Sequence, residues 1–330
     1  MKMTLSDIAE KVGVTPQLVS FYFNNPGTTR VAKETRDKID SAARKLKYQP
    51  NRIARALVTG KTNTIGLIMG GFTQRKRGCF VHALMNTAKK HKYNLLITIT
   101  NYNQNEEQDA LEYMLAQQVD GILYHLYLDS KSKIYKRLKK EKYPILLHVP
   151  QAGDNFNTIG HAPDAFKKAI QIAAADGHKN ICYVNDVKDF NSDYISEYCK
   201  EFNMQLSFAS AESAEHINAE IKKNSSTIAI FVNNDVVKKY CLEFPKSDVN
   251  IVIPYTLPYE YISDSRITGV IYHNFLERAA REIELMLEII NNPKKKTACE
   301  LLPSHFLAFD QWQELYKAQC KDPQYKLFLP

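Results

Sequence analysis

The sequence predicts a multidomain protein: an all-α headpiece over residues 1–48, a linker over 49–63 and an α/β body of two lobes over 64–330. Three observations predict it. The first 48 residues carry apolar positions at helical spacing, with Gly13-Val14-Thr15-Pro16 breaking and restarting the pattern. At Thr64 the texture changes to short β-rich runs alternating with helical stretches, the rhythm of a parallel sheet with helices on both faces. After Asn157 that rhythm begins again, so two α/β lobes of similar size are expected.

In the headpiece, Leu5, Ile8, Ala9 and Val12 line one side of a first helix. Gly13 ends it, Thr15 is placed to cap the next helix, and Pro16 occupies a first-turn position where its missing N–H does no harm. Leu18, Val19 and Tyr22 give the second helix its apolar side, and Asn24-Asn25-Pro26-Gly27 stops it. A third helix is expected from Lys33 to Leu46, with Ile39, Ala42, Ala43 and Leu46 inward. In the linker, Pro50-Asn51 precedes a short helix from Arg52 to Val58 that Thr59-Gly60 terminates. Two helices joined by a tight glycine-containing turn form a helix-turn-helix, whose second helix can lie in the DNA major groove. Thr15, Gln17 and Ser20 are the polar positions left facing outward, with Phe21 beside them.

In the body, strands are expected at Thr64–Met69, Leu95–Thr100, Gly121–His125, Ile145–Val149, Ile181–Val184, Ile228–Val232, Asn250–Pro254, Cys299–Leu302 and His305–Phe309. Helices are expected up to His91, around Asn105–Gln117, near Pro163–Asp176 and at Phe275–Ile290.

Charge is unevenly placed. Residues 1–61 hold 12 Lys/Arg against five Asp/Glu, so seven of the eight net positive charges lie in this stretch. A small basic module on a near-neutral body is the electrostatic footprint of a polyanion binder. No apolar run reaches the roughly 18 residues a membrane helix needs, and Met1–Asp7 lacks a secretory core, so a cytoplasmic, nucleoid-associated protein is expected. The six cysteines form no CxxC pair, and no histidine stands at metal-finger spacing from them; buried thiols and no metal or cofactor are expected. P-loop, GxGxxG, GxSxG and HExxH motifs are missing, and Asp186, Asp189 and Asp193 have no partnered motif, which excludes the common enzyme classes.

The stretch Thr4-Leu5-Ser6-Asp7-Ile8-Ala9-Glu10-Lys11-Val12-Gly13-Val14-Thr15-Pro16-Gln17-Leu18-Val19-Ser20 resembles the headpiece of the LacI/GalR family. The likeness continues through Val31–Arg36 and Leu46–Leu57 and into Asn63-Thr64-Ile65-Gly66-Leu67-Ile68. It implies a transcriptional regulator, a repressor, binding a palindromic operator as a homodimer under control of a small-molecule effector. The resemblance assigns DNA contacts to Thr4, Thr15, Pro16, Gln17, Ser20, Phe21, Asn24, Arg30, Tyr48 and Asn51. Phe21 departs from the family's usual arginine; it either packs on a thymine methyl or packs on the headpiece itself. In the family, paired linker helices enter the minor groove, which implies close helix approach at Ala54 and a wedge at Leu57.

The body resembles the family's periplasmic-binding-protein-like sensor more weakly, through Val119–Leu123, Gly177–Ile181 and Val232–Asp235. Candidate effector residues are Asp235, Phe72, Lys76, Arg77, Tyr124, Tyr194 and Tyr272. Several family sugar-binding segments are altered here, at Gln74–Arg77, Tyr194–Glu197 and Ile253–Thr256. Arg75-Lys76-Arg77 reads either as a site for an acidic or phosphorylated effector or as a solvated charge run. Tyr124, His125 and Tyr127 either stack on a ligand ring or pack internally. The effector is a sugar or sugar derivative, anionic in one reading; the alternative is a degenerate sensor serving as a dimerisation or protein-binding platform.

Overall fold

A computed structural model of the chain describes residues 3–25, 28–48, 52–71, 75–126, 132–148, 156–185, 190–254, 264–293 and 297–322. Its backbone divides into two units: Met1–Thr64 with Gln118–Asp120, and Ile65–Gln117 with Gly121–Pro330.

The smaller unit contains α1 (Leu5–Val12), α2 (Pro16–Asn24), α3 (Lys33–Lys45) and α4 (Arg52–Thr59). Ile8, Ala9, Val19, Ile39 and Ala42 form its buried core, with Leu5, Val12, Val14, Tyr22, Phe23, Ala43, Leu46 and Tyr48 packed around it. The periodicity that predicted these helices is therefore the packing itself.

The larger unit is built on two six-stranded sheets. The first contains β1 (Thr64–Met69), β2 (Asn94–Ile99), β3 (Gly121–His125), β4 (Ile145–Leu147), β5 (Asn157–His161) and β11 (Cys299–Leu302). Their spatial order is β11-β5-β4-β3-β1-β2. The second contains β6 (Asn180–Val184), β7 (Gln205–Ala209), β8 (Thr227–Phe231), β9 (Asn250–Pro254), β10 (Ile267–Tyr272) and β12 (His305–Ala308). Their order is β12-β10-β9-β8-β6-β7, with β12 antiparallel to β10. The central strands β3, β4, β6 and β8 are buried along nearly their whole length, as strands covered by helices on both faces must be.

Helices α5 (Arg75–Lys90), α6 (Gln104–Ala116) and α7 (Lys133–Glu141) follow the early strands of the first sheet. Helices α8 (Asp164–Ala175), α9 (Phe190–Glu201), α10 (Ala214–Lys222) and α11 (Asn234–Glu243) alternate with those of the second. The long α12 (Phe275–Asn291) returns to the first lobe, where Ala279, Ile283, Met286 and Ile289 join the core of β1, β3 and α5. The chain ends on α13 (Phe309–Lys321), whose Trp312 is buried in the second lobe.

The two-lobed α/β body is as expected, but the lobes are not consecutive. The rhythm restarting at Asn157 suggested the second lobe begins there. Instead Asn157 and Thr158 pair with Leu146 and Leu147 in the first sheet, and the second sheet begins at β6. The cysteine expectation also needs correcting. Cys182, Cys199 and Cys241 are buried, with thiols pushed up to about 11, 12 and 12 by burial. Cys79, however, is half-buried, and Cys299 is exposed because it opens the edge strand β11. The Cys320 side chain lies outside the described residues. Among the described residues, no helix is long and apolar enough to cross a membrane.

Candidate nucleic-acid interface

The interface is assembled from α1, the turn after it and the first turns of α2. Thr4 caps α1: its Oγ1 accepts from Asp7 N (3.4 Å), while Thr4 N donates to Asp7 Oδ2 (2.6 Å). This capping box holds the Asp7 carboxyl below its ordinary range, mainly through the Thr4 backbone N–H. Gly13 sits at φ +74°, the left-handed conformation that ends a helix at least cost without a Cβ. Its N–H returns to Ala9 O (2.9 Å), and Val14 N does the same (3.0 Å). Two residues later Thr15 Oγ1 accepts from Leu18 N (3.2 Å) and starts α2, with Pro16 in its first turn.

The consequence is a second helix whose N-terminus is open to solvent. Thr15, Pro16 and Gln17 are exposed, and Ser20, Phe21 and Asn24 are half-exposed. Asn24 Nδ2 donates to Ser20 Oγ (3.4 Å), so those two predicted contacts are brought together. Phe21 is not among the residues packed on the headpiece core, whereas its neighbours Tyr22 and Phe23 are. Tyr22 donates to Asp40 Oδ2 (2.8 Å), tying α2 to α3, and burial followed by the Asp40 bond pushes its phenol up. Phe23 stacks on Tyr48 with ring centroids 5.6 Å apart. Tyr48 therefore serves first as a packing residue, and Arg30 is exposed.

The linker helix α4 leaves Ala54, Leu57 and Val58 exposed. Leu57 is 82% exposed and Val58 75%, and Ala54 is also exposed. An eight-residue helix with an uncovered apolar side gains little from packing and is marginal in water. Its C-terminal end is pinned: Asp120 accepts from Thr62 N (2.7 Å), Thr62 Oγ1 (2.8 Å) and Asn63 N (3.0 Å). Sequence periodicity could not reveal this Asp120 anchor, because it spans 58 residues of chain. Asn51 lies outside the described residues.

The predicted effector residues fall on both lobes. Arg77 on α5 bonds the Tyr102 hydroxyl and lies 5.4 Å from that ring's centroid. Tyr102 in turn covers Gly70, where a Cβ would collide with the ring. Tyr124 is 1% exposed and donates to Glu107 (3.1 Å), so it packs internally rather than presenting a ring face. Tyr194 lies on α9, 6.4 Å from the Tyr198 ring. Asp235 is exposed in the first turn of α11, its N–H donating to Asn233 Oδ1 (2.9 Å). Tyr272 at the end of β10 is 8% exposed, and its hydroxyl accepts from Gln319 (3.2 Å). Phe72, Tyr127, Tyr255 and the Lys76 side chain lie outside the described residues.

Residues 4–51 match the family model described as bacterial regulatory proteins, lacI family. The chain is 31% identical over 188 residues to catabolite control protein A of Priestia megaterium, covering 56% of this chain and 55% of that protein. It is 34% identical over 155 residues to the sucrose operon repressor of Klebsiella pneumoniae, covering 47% and 46%. The matches thus span about half the length of these relatives. Among solved structures, the lac repressor dimer bound to operator and the anti-inducer ONPF superposes with a TM-score of 0.77. That superposition covers 93% of this chain and 98% of that one at 19% identity, a likeness of fold.

Proposed function

We propose that the chain, whose residues 4–51 match the lacI family of bacterial regulatory proteins, is a sequence-specific transcriptional repressor that binds a palindromic operator as a homodimer. The observation that carries this reading is the α2 N-terminus, where Thr15, Pro16 and Gln17 stand exposed on a basic headpiece. Phosphate contacts from Thr15, Ser20, Asn24 and Arg30 set the register, and Gln17 reads a base edge. A glutamine pairing bidentately with adenine discriminates by about 1–3 kcal/mol. Phe21, free of the headpiece core, is placed to meet a thymine methyl. One headpiece reads few base pairs, so two related by a dyad are needed. The operator and dimer named for the lac repressor structure support the same arrangement.

The body is the effector-sensing part, working in the cytoplasm. A sugar or sugar derivative is the favoured class, supported by the sucrose operon repressors among its relatives. Asp235, Arg77, Tyr194 and Tyr272 are the residues assigned to it. The experiment is in vitro selection of genomic fragments by the full-length protein. Enrichment of fragments sharing an inverted repeat supports the reading; uniform recovery regardless of sequence refutes it.

A further inference from the structure

Four strands of the body run into histidine at their carboxyl ends: β3 ends on His125, β5 on His161, and His148 and His273 immediately follow β4 and β10. Strands β3, β4 and β5 are neighbours in one sheet, so three of the histidines line one stretch of its carboxyl edge. Open α/β sheets take their ligands at that edge. The rings lie in two pairs, His125 with His148 at 4.2 Å between centroids and His161 with His273 at 3.9 Å. Beneath the first pair, α12 supplies Glu282, whose side chain is fully buried.

We propose that His125, His148 and Glu282 form a binding site for a first-row divalent transition-metal ion of the zinc type. His125 Nε2 is 2.9 Å from Glu282 Oε2, and His148 Nδ1 is 3.4 Å from Glu282 Oε1. One donor atom from each of the three residues lies within 4.8 Å of the others. Ligand bonds of about 2.0–2.2 Å to a tetrahedral ion put donor atoms roughly 3.3–3.6 Å apart, so the His125–Glu282 pair opens slightly and the widest pair closes by no more than about 1.5 Å as the ion enters. Two imidazoles and one carboxylate suit zinc, cobalt or nickel rather than calcium or magnesium.

Arg278, one turn before Glu282 on α12, provides the cluster's positive charge without a metal. Its Nε donates to Glu282 Oε1 (2.8 Å) and its Nη2 to His148 Nδ1 (3.0 Å). A guanidinium can only donate, so His148 Nδ1 turns its lone pair to Arg278, and an ion binding at that atom takes the place of this hydrogen bond. The same Nη2 also donates to His148 O (3.0 Å) and Ile159 O (3.2 Å). Those carbonyls are the partners left to Nη2 once an ion replaces its bond to His148 Nδ1. The His148 side chain is 32% exposed, so the cluster is in contact with solvent at that residue.

The test is titration of the full-length protein with cobalt(II) chloride, without DNA, so it does not depend on the regulator reading. The site predicts one tightly bound equivalent with visible d–d absorption, lost in His125→Gln and in His148→Gln and kept in His91→Gln, a surface control. No such band in the parent protein, or an undiminished band in both variants, overturns the proposal. A second measurement needs no variant: zinc chloride should protect His148 from diethyl pyrocarbonate, mapped by peptide mass. Equal modification with and without zinc also overturns it.

Discussion

Truncating Leu57 separates folding from DNA binding cleanly. The side chain is 82% exposed in the free protein, so Leu57→Ala removes almost no buried contact. Its effect on stability should stay within about 0.5 kcal/mol, as for other surface substitutions. In the proposed operator complex the same side chain is buried between base pairs. Burying a leucine is worth roughly 1.5–3 kcal/mol, or about 10- to 100-fold in affinity for each chain in the complex. Fluorescence anisotropy on the selected operator measures the affinity, circularly permuted fragments measure the bend, and urea unfolding measures the stability. The expected result is a large loss of affinity and of bending with an unchanged urea midpoint. Unchanged affinity and bending would refute the wedge, and a midpoint shift matching the affinity loss would show that Leu57 holds the protein together instead.

Gly13→Ala tests the turn: at φ +74° a Cβ meets nothing within 4 Å, so only backbone strain of about 1–2 kcal/mol is added. Headpiece stability and operator affinity should fall together, and full retention of both would contradict the left-handed cap. Gly121→Ala places a Cβ against Met286 and Ile290, overpacking β3 against α12. A loss of about 1–3 kcal/mol in body stability is expected by urea unfolding, and a neutral effect would mean α12 sits elsewhere. His161 is held down to about 3, first by burial and then by Arg278. It is neutral when folded, so the unfolded chain binds the extra proton and stability falls as pH drops below about 6.5. Between pH 6.5 and 5 the loss is about 1.6 kcal/mol from this residue, and His161→Gln should flatten that slope; an unaltered slope would refute it.

The local signals were legible wherever packing repeats with the period of one element. Strands Thr64–Met69, Gly121–His125, Asn250–Pro254 and Cys299–Leu302 lie where their apolar runs predict. Strand β7 escaped because it is an edge strand of which only Ala209 is buried. Strand β10 contains Gly269 at a register shift, which weakens its pattern. The order of crossings was hidden for a different reason. Pairing β5 with β11, or returning α12 to the first lobe, joins residues more than a hundred positions apart, and no window of sequence reports that. Thr15, Gln17 and Ser20 could be placed because a helix cap and its first turn are local. The histidine cluster could not, since its members come from separate strands and a helix and show no ligand spacing along the chain.

The central claim is that the α2 N-terminus reads sequence while the basic headpiece supplies general affinity. Gln17→Ala tests it on the selected operator and on a scrambled duplex of equal length, across a range of salt. The account predicts a loss of about 1–3 kcal/mol of discrimination against the wrong base at one position in each half-site, with affinity for the scrambled duplex and its salt slope unchanged. Equal weakening on both duplexes, or no change on either, would contradict it.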